Sequence, residues 1–181
     1  MRNNQLFKCF IVMALFFLID SVITYFLPYN LTKTGITYIP ALGLMLFVLL
    51  STTIYDIGER FFFSAVCGLY YAICYSNSLM IYVLIYTMIT FVRTYLYQSA
   101  RVTLIDYVLM VVAVIAAKEL IVYYLMRMTA MTELRFGAYF IKRFIPTVFI
   151  NSLLSPLVYL IYKVLNLEVD INEYENSAIH L

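Results

Sequence analysis

The run Val102–Met128, VTLIDYVLMVVAVIAAKELIVYYLMRM, decides the fold class of this chain. It is apolar almost throughout and longer than the roughly 20 residues with which a helix crosses the hydrocarbon core of a bilayer. The whole 181-residue chain has the same character, since 65% of its residues are hydrophobic, 12% are charged, and the mean hydropathy is +0.92. A soluble domain is about half apolar and about a quarter charged, so the composition predicts an integral membrane protein.

Five more apolar runs of similar character surround that stretch. They are continuous instead of alternating, which favours helices over the strands of a membrane β-barrel. We therefore predict an all-α, six-helix transmembrane bundle that forms one domain over residues 1–165. Its spans are predicted at residues 6–27, 38–55, 61–75, 79–97, 102–128 and 138–165. Residues 166–181 contain acidic side chains and no Lys or Arg, which predicts an acidic cytoplasmic tail that is at least partly disordered.

The positive charges of the loops determine the orientation only weakly. Cytoplasmic loops of membrane proteins are enriched in Lys and Arg, but the loops of the two sides carry nearly equal numbers in this chain. The first hairpin often dominates, and Arg2 and Lys8 outweigh Lys33. We predict a multi-pass protein of the cell membrane with both termini in the cytoplasm.

Ionisable residues within the predicted spans are costly, by roughly 2.5–3.5 kcal/mol at mid-bilayer on insertion scales, so each needs a reason. Asp20, Lys118 and Glu119 lie at similar predicted depths, and Arg143 approaches the same layer from the start of the sixth span. We predict one buried polar cluster from these four residues, and we predict that Asn151 hydrogen-bonds across to a neighbour. The cluster either fixes the register of the helices, faces a partner or ligand, or takes part in a proton relay.

A second polar pair is predicted from Arg93 and Asp106, which lie near the inner ends of two adjacent spans. Close helix packing is predicted from two patterns in which small residues are four positions apart, because small side chains let helix backbones approach each other. These patterns are Ser64 with Gly68 and Ala113 with Ala117.

Enzymatic chemistry has little support in the sequence. The single histidine, His180, lies in the predicted tail, so neither a Ser–His or Cys–His pair nor a histidine zinc site is expected inside the membrane. The three cysteines, Cys9, Cys67 and Cys74, are interpreted as small buried apolar residues. Neither a glycine-rich phosphate loop nor a basic nucleic-acid stripe is indicated. We therefore expect no catalytic residue, cofactor, metal or nucleic-acid partner.

Three motifs in a fixed order carry a resemblance to a known family. They are FLID at 17–20, CGLYY at 67–71 followed by LMIY at 79–82, and RFIP at 143–146 followed by NSLL at 151–154. In length, number of predicted spans and motif order, the chain resembles the MreD family of rod shape-determining proteins, of the Gram-positive type. It departs from the family pattern at Ala41, where members often carry a polar residue, and at Ala72, where they usually carry an acid.

The resemblance implies a non-enzymatic membrane scaffold subunit of the bacterial cell-elongation machinery, which regulates cell shape and peptidoglycan synthesis. The implied direct partner is MreC. Through MreC, the resemblance also implies indirect association with MreB, RodA and the class B penicillin-binding partner of RodA. The family fold is similar to the substrate-binding subunits of energy-coupling-factor transporters, so a small-solute binding or transport subunit of that type is the alternative function.

Overall fold

The protein is described from a computed structural model. The structure describes residues 2–31, 35–54, 56–75, 79–96, 102–130 and 132–167, and all contacts below are among these residues. The predicted tail from residue 168 onward, including His180, lies outside the described residues, as does the side chain of Cys74. Lys33, which entered the prediction of orientation, also lies outside them.

The described part of the chain consists of six helices and contains no strand. They are α1 (Arg2–Leu31), α2 (Leu42–Thr53), α3 (Ile57–Tyr75), α4 (Leu79–Leu96), α5 (Leu104–Met128) and α6 (Phe136–Val164). Three of them, α1, α5 and α6, are long and apolar enough to cross a membrane, and α2 and α4 contain shorter apolar segments. The all-helical class is thus confirmed, and the three long apolar helices are those of a membrane protein.

Helix α2 is shorter than the sequence predicts. The predicted span 38–55 is helical only over Leu42–Thr53, and residues 36–41 are not helical. Pro40 explains the difference, because a residue that precedes proline disfavours helical backbone angles, and Ile39 occupies that position. The backbone groups of this non-helical segment need hydrogen-bond partners inside the bundle, and other helices provide them.

Two other helices, α3 and α1, extend beyond their predicted spans. Helix α3 begins at Ile57, because the Oδ1 of Asp56 accepts the N–H of Glu59 at 2.8 Å as an amino-terminal cap. The polar residues that the sequence predicts as a break between spans therefore start a helix. Helix α1 continues past Leu27, where the predicted first span ends, and through Pro28 to Leu31. A proline removes one helical hydrogen bond, and here the helix continues on both sides of it.

Helix α6 is continuous but contains a π-helical turn, Phe140–Phe144, directly before Pro146. Pro146 has no N–H, so the Lys142 carbonyl one turn earlier loses its usual α-helical donor. The N–H of Thr37, in the segment before α2, donates to this carbonyl at 2.8 Å. The irregular turn therefore attaches the segment before α2 to the start of α6.

Helix α2 forms the centre of the bundle, since all of its residues from Leu42 to Thr53 are buried. It contacts α1, α3, α4, α5 and α6, while α3 packs with α4 and α5 packs with α6 as two helical pairs. Each end of this central helix is therefore surrounded by other helices and not by open solvent. Its free backbone groups depend on side chains of those neighbours.

Successive helices alternate in direction, so that their ends form two layers. At the proximal end, where α1 starts and α6 ends, the Nζ of Lys8 donates to the carbonyl of Leu165 at 2.6 Å. At the distal end, where α2 and α6 start, Thr37 donates to Lys142 as described above. The first described helix thus starts, and the last one ends, at the same end of the bundle.

The outer surface of the bundle is more apolar than that of a soluble protein, and several charged side chains lie in its otherwise apolar interior. Large apolar side chains face outward, among them Phe7, Leu15, Val22, Phe62, Ile105, Leu109, Phe149 and Leu153. Charged and amide side chains are buried, namely Asp20, Arg60, Arg93, Lys118, Glu119 and Asn151. This arrangement is typical of a bundle in lipid, because only the interior offers partners to polar groups.

Candidate functional site in the buried polar layer

The amino end of α2 is capped by a carboxylate from another helix. The first N–H groups of a helix have no partner within it, and Ala41 at the N-cap position offers no side-chain acceptor. Asp20 of α1 is only 1% exposed; its Oδ1 accepts the N–H of Leu42 at 2.9 Å and its Oδ2 that of Gly43 at 2.8 Å. Its negative charge also lies at the positive end of the helix dipole. Asp20 therefore acts as the cap of α2.

Gly43 allows α1 and α2 to come close enough for this contact. A Cβ at position 43 would lie 2.3 Å from the Cδ1 atom of Phe17, whose side chain is buried. Phe17 precedes Asp20 by one helical turn, so both side chains lie on the face of α1 that meets α2. A residue larger than glycine would push this face away and lengthen the hydrogen bonds of Asp20.

Asn151 of α6 holds the segment that precedes α2. Its Nδ2 donates to the carbonyl of Ile39 at 2.9 Å and to that of Thr147 at 2.8 Å. Its Oδ1 accepts the N–H of Ala41 at 3.1 Å and the hydroxyl of Tyr38 at 3.2 Å. These four hydrogen bonds use both donors and both lone pairs of the amide. Asn151 thus hydrogen-bonds across the bundle, to a non-helical segment and not to a neighbouring helix.

The carboxyl end of α2 is held by two arginines from the α3–α4 pair. The Nε and Nη2 of Arg60 both donate to the carbonyl of Ile54, at 3.0 and 2.6 Å. The Nη2 of Arg93 donates to the carbonyl of Thr52 at 3.4 Å. Positive charge at the negative end of the helix dipole complements the carboxylate at its other end. Arg60 is not predicted from the sequence, because no local pattern marks an arginine that binds the preceding helix.

A second polar cluster joins α5 to α6. Glu119 is fully buried, and its Oε1 forms an ion pair with the Nζ of Lys118 at 3.0 Å. Its Oε2 accepts from the Nε of Arg143 at 3.1 Å and from the hydroxyl of Tyr139 at 2.8 Å. Tyr139 is not predicted from the sequence, because a tyrosine near the start of a membrane helix usually indicates an interfacial anchor.

The structure brings three of the four predicted members of the polar cluster, Lys118, Glu119 and Arg143, into direct contact. Asp20 does not join them by an ion pair, because both of its oxygens bind the backbone of α2. The single predicted cluster therefore consists of two neighbouring sites, which differ in what their carboxylates bind.

The predicted pair of Arg93 and Asp106 is wrong. The Oδ2 of Asp106 accepts from the hydroxyl of Thr103 at 2.7 Å, and the Oγ1 of Thr103 accepts the N–H of Asp106 at 3.2 Å. These residues form a capping box at the start of α5, which satisfies the carboxylate locally. Arg93 instead contacts α2, as described above. The spacing of Thr103 and Asp106 is the sequence signal that could have identified the cap.

Only one of the two small-residue patterns packs within the bundle. Gly68 of α3 lies against α4, where a Cβ at position 68 would be 2.7 Å from the Cα of Val83. Ser64, one turn earlier, is also buried. Ala113 and Ala117 are exposed on α5, so the helix packing predicted for this pair does not occur inside the bundle. The face of α5 that meets the other helices is a different one, which includes Lys118 and Glu119.

The buried charged and amide residues of the bundle hold backbone segments and charges in fixed positions. They are Asp20, Arg60, Arg93, Lys118, Glu119 and Asn151. Their donors and acceptors bind mainly to the ends of helices and to one another, and the described residues contain no group of three or more His, Cys, Asp or Glu side chains that could hold a metal. No protein-family model, curated protein or solved structure matches the chain.

Proposed function

We propose that this chain is a non-enzymatic membrane scaffold subunit that binds the transmembrane helix of a partner on the outer face of α5. The observation that carries the proposal is the exposure of Ala113 and Ala117 one turn apart, between the exposed side chains of Leu109 and Ile121. Two small residues between larger ones form a shallow groove. Helices in lipid associate through close packing at such positions, because lipid provides no hydrophobic drive for association.

The small pair of α3 supports this interpretation by contrast. Ser64 and Gly68 have the same spacing, and α4 already packs against them. Ala113 and Ala117 have no helix against them within the described part of the chain. A helix from another protein would complete on α5 the kind of contact that α4 makes with α3.

The polar groups inside the bundle support a scaffold function more than the binding of a solute. Asp20, Lys118 and Glu119 are the candidates for lining a solute site, but Asp20 uses both carboxylate oxygens on the backbone at the start of α2. Glu119 forms an ion pair with Lys118 through Oε1, and its Oε2 accepts from Arg143 and Tyr139. These groups define a rigid frame that can present an outer face to a partner.

The resemblance to the MreD family supplies the identity of the proposed partner. MreC is the direct partner, bound by packing of membrane helices, and MreB, RodA and the class B penicillin-binding partner of RodA are reached indirectly. In this proposal the chain belongs to the cell-elongation machinery and regulates cell shape and peptidoglycan synthesis. It catalyses no reaction itself.

We propose six spans, in the cell membrane, with both termini in the cytoplasm. The alternating directions of the six helices support this topology, as does the proximal position of both the start of α1 and the end of α6. The proposed fold is similar to the six-helix substrate-binding subunits of energy-coupling-factor transporters. Labelling of single cysteines introduced near both ends of the chain, at Asn3 and Asn176, would test the orientation.

Small-solute binding remains the second candidate function, and one observation favours it. A cavity at the distal end is lined by two basic side chains, Lys142 and Arg143. Purification of the chain separates the two candidates, because a scaffold retains MreC and a solute subunit retains a bound small molecule.

The decisive variants are Ala113→Leu and Ala117→Leu. A leucine on the outer face should fill the groove and reduce co-purification of MreC at least about tenfold, which corresponds to roughly 1.4 kcal/mol. The melting temperature in detergent should remain close to that of the unchanged protein, because both positions are exposed. Ser21→Leu is the matched control, since Ser21 is a small exposed residue on α1.

Gly68→Leu serves as the opposite control. It should lower the melting temperature because the new side chain would collide with the backbone of α4 near Val83. If both alanine variants remain folded and still retain MreC at the level of the Ser21 variant, the outer face of α5 is not the binding surface, and the solute-binding candidate should replace the scaffold.

A further inference from the structure

A cavity of about 320 Å³ lies at the distal end of the bundle. It is formed by the last turns of α5, the first turns of α6 and the segment that leads from α1 to α2. Gly35 and Thr37 of that segment line it, and Gly35 has a φ of 71°, a backbone angle that favours glycine. Sites for small ligands begin at roughly this volume.

Two basic side chains give the cavity its chemical character. Lys142 is exposed, and its Nζ lies 3.6 Å from the place that a Cβ of Gly35 would take. Arg143 is 26% exposed and uses its Nε for Glu119. Within the described residues, Lys142 forms no ion pair and the two terminal nitrogens of Arg143 form no hydrogen bond. The cavity therefore has charged donors that the bundle itself does not use.

The nearby carboxylate does not neutralise this charge. Glu119 already balances Lys118, with which it forms an ion pair at 3.0 Å. Arg143 shares this single carboxylate with Lys118, and Lys142 forms no ion pair within the described residues, so the three cations exceed the one carboxylate. Glu133 lies next to lining residues in the sequence, but it does not line the cavity.

The neutral polar groups of the cavity leave few other donors. The hydroxyl of Tyr139 is used for Glu119, and that of Tyr123 donates to the carbonyl of Leu134 at 3.1 Å. Two threonine hydroxyls also line the cavity, that of Thr37 and that of Thr132, which accepts the N–H of Leu134 at 3.3 Å and can still donate its own proton. Two hydroxyls and two adjacent cations suit a compact oxyanion that accepts several hydrogen bonds at once.

We propose that the distal cavity binds a phosphate group, with Lys142 and Arg143 as its charged donors. The cavity lies at the ends of α5 and α6, two helices long enough to cross a membrane, and thus at the depth of lipid headgroups. Basic pockets between membrane helices bind the headgroups of anionic lipids. The phosphate is carried either by such a lipid or by a free phosphate compound, and the chemistry of recognition is the same.

Binding can be measured with the delipidated full-length protein in a neutral detergent. The probes are short-chain phosphatidylglycerol, short-chain phosphatidylcholine and inorganic phosphate, titrated while the melting temperature and native mass spectra are recorded. Phosphatidylglycerol should bind with saturation and more tightly than phosphatidylcholine. If inorganic phosphate competes with it at similar concentrations, the ligand is a free phosphate compound; if it does not compete, the ligand is a lipid headgroup.

Lys142→Gln is the variant that decides, because Lys142 is exposed and the fold does not depend on its side chain. It should weaken phosphatidylglycerol binding about tenfold, as expected for the loss of one charge-assisted hydrogen bond. Arg127→Gln is the matched control, since it removes the same charge from an exposed residue near the distal end that does not line the cavity. Arg143→Gln should weaken binding as well, but it also removes a partner of Glu119.

The proposal is overturned if no phosphate-bearing probe binds with saturation, or if Lys142→Gln and Arg127→Gln weaken binding equally. Ala117→Leu distinguishes this site from the partner surface on α5, because it should leave phosphatidylglycerol binding unchanged while MreC is lost. The two proposals can therefore fail independently.

Discussion

Helices α2 and α5 both begin beside an aspartate, but the two aspartates reach them in different ways. Asp106 belongs to α5 itself and forms a capping box with Thr103 at a partly exposed position. Asp20 belongs to α1, lies 22 residues before Leu42 in the chain, and caps α2 inside the bundle. One cap is local and close to the surface, whereas the other is distant in sequence and buried.

The difference follows from the surroundings of each helix end. At the exposed start of α5, other acceptors can replace the cap when it is lost. Inside a bundle in lipid, an unsatisfied backbone group costs several kcal/mol because no water is present to bind it. A buried helix end therefore requires an acceptor from another helix, and that acceptor connects the helices to one another. The comparison predicts large effects at buried carboxylates and small ones at the exposed cap.

The largest effect is expected at Glu119, a buried carboxylate that binds charged side chains in place of backbone N–H groups. Glu119→Leu leaves Lys118 buried without its partner, removes the acceptor of Arg143 and leaves Tyr139 only the backbone carbonyl of residue 119. Breaking a buried ion pair in this way costs about 3–5 kcal/mol. The free energy of unfolding, measured by titration with a denaturing detergent, should fall by that amount.

The double variant Lys118→Leu with Glu119→Leu is the control for this prediction. It removes both members of the ion pair and leaves only Arg143, which is partly exposed and can be solvated. It should therefore be more stable than Glu119→Leu alone. A double variant that is less stable than either single variant would show that the two charges do not compensate each other.

The next largest effect is expected at Asp20. Asp20→Ala leaves the N–H groups of Leu42 and Gly43 without acceptors, and each unsatisfied buried group costs about 1–3 kcal/mol. We expect a total loss of about 3 kcal/mol and faster hydrogen–deuterium exchange at the start of α2. Asp20→Asn keeps one acceptor oxygen and should lose less. If Asp20→Ala costs no more than Asp106→Ala, burial does not distinguish the two caps.

The sequence predicts the burial of Asp20 but not its partner. An acidic residue within an apolar membrane span is expected to face the interior of the bundle, and its position in the sequence is enough to indicate this. Its partner depends on where α2 begins, and that point depends on Pro40 and on the contact with α6. The predicted span 38–55 places Leu42 and Gly43 inside a helix, where their N–H groups would have helical partners. That these two N–H groups need an acceptor from another helix is known only once the true start of α2 is known.

A smaller loss is expected at Asn151, which supports the same helix start from α6. Asn151→Ala removes four hydrogen bonds and leaves the N–H of Ala41 buried without an acceptor, for a loss of about 2 kcal/mol. Asn4→Ala is the matched control, because Asn4 is an exposed asparagine of helix α1. Equal stability of the two variants would mean that the segment before α2 does not depend on this amide.

In the candidate site, too, contacts between residues close in sequence could be predicted, whereas contacts between distant helices could not. Lys118 and Glu119 are adjacent in the chain, and their depth relative to Arg143 follows from counting residues along two spans, so the cluster could be predicted. The contacts of Arg60 and Arg93 with the end of α2 could not, because they join residues of three helices whose neighbours the sequence does not determine. The exposure of Ala113 and Ala117 could not be predicted either, because it depends on how α5 is rotated about its axis, and packing against the other helices determines that rotation.

The smallest effect is expected at the local cap. Asp106→Ala should lower the free energy of unfolding by about 1 kcal/mol, and Thr103→Ala by a similar amount, because each breaks the same capping box. Their combination should cost less than the sum of the two losses, since residues in one hydrogen-bonded unit are not additive. By contrast, Arg93→Met and Asp106→Ala should add within about 0.5 kcal/mol, because the two residues share no partner. A coupling energy well above that value between Arg93 and Asp106 would restore the ion pair predicted from the sequence. It would also mean that the start of α5, like that of α2, depends on another helix.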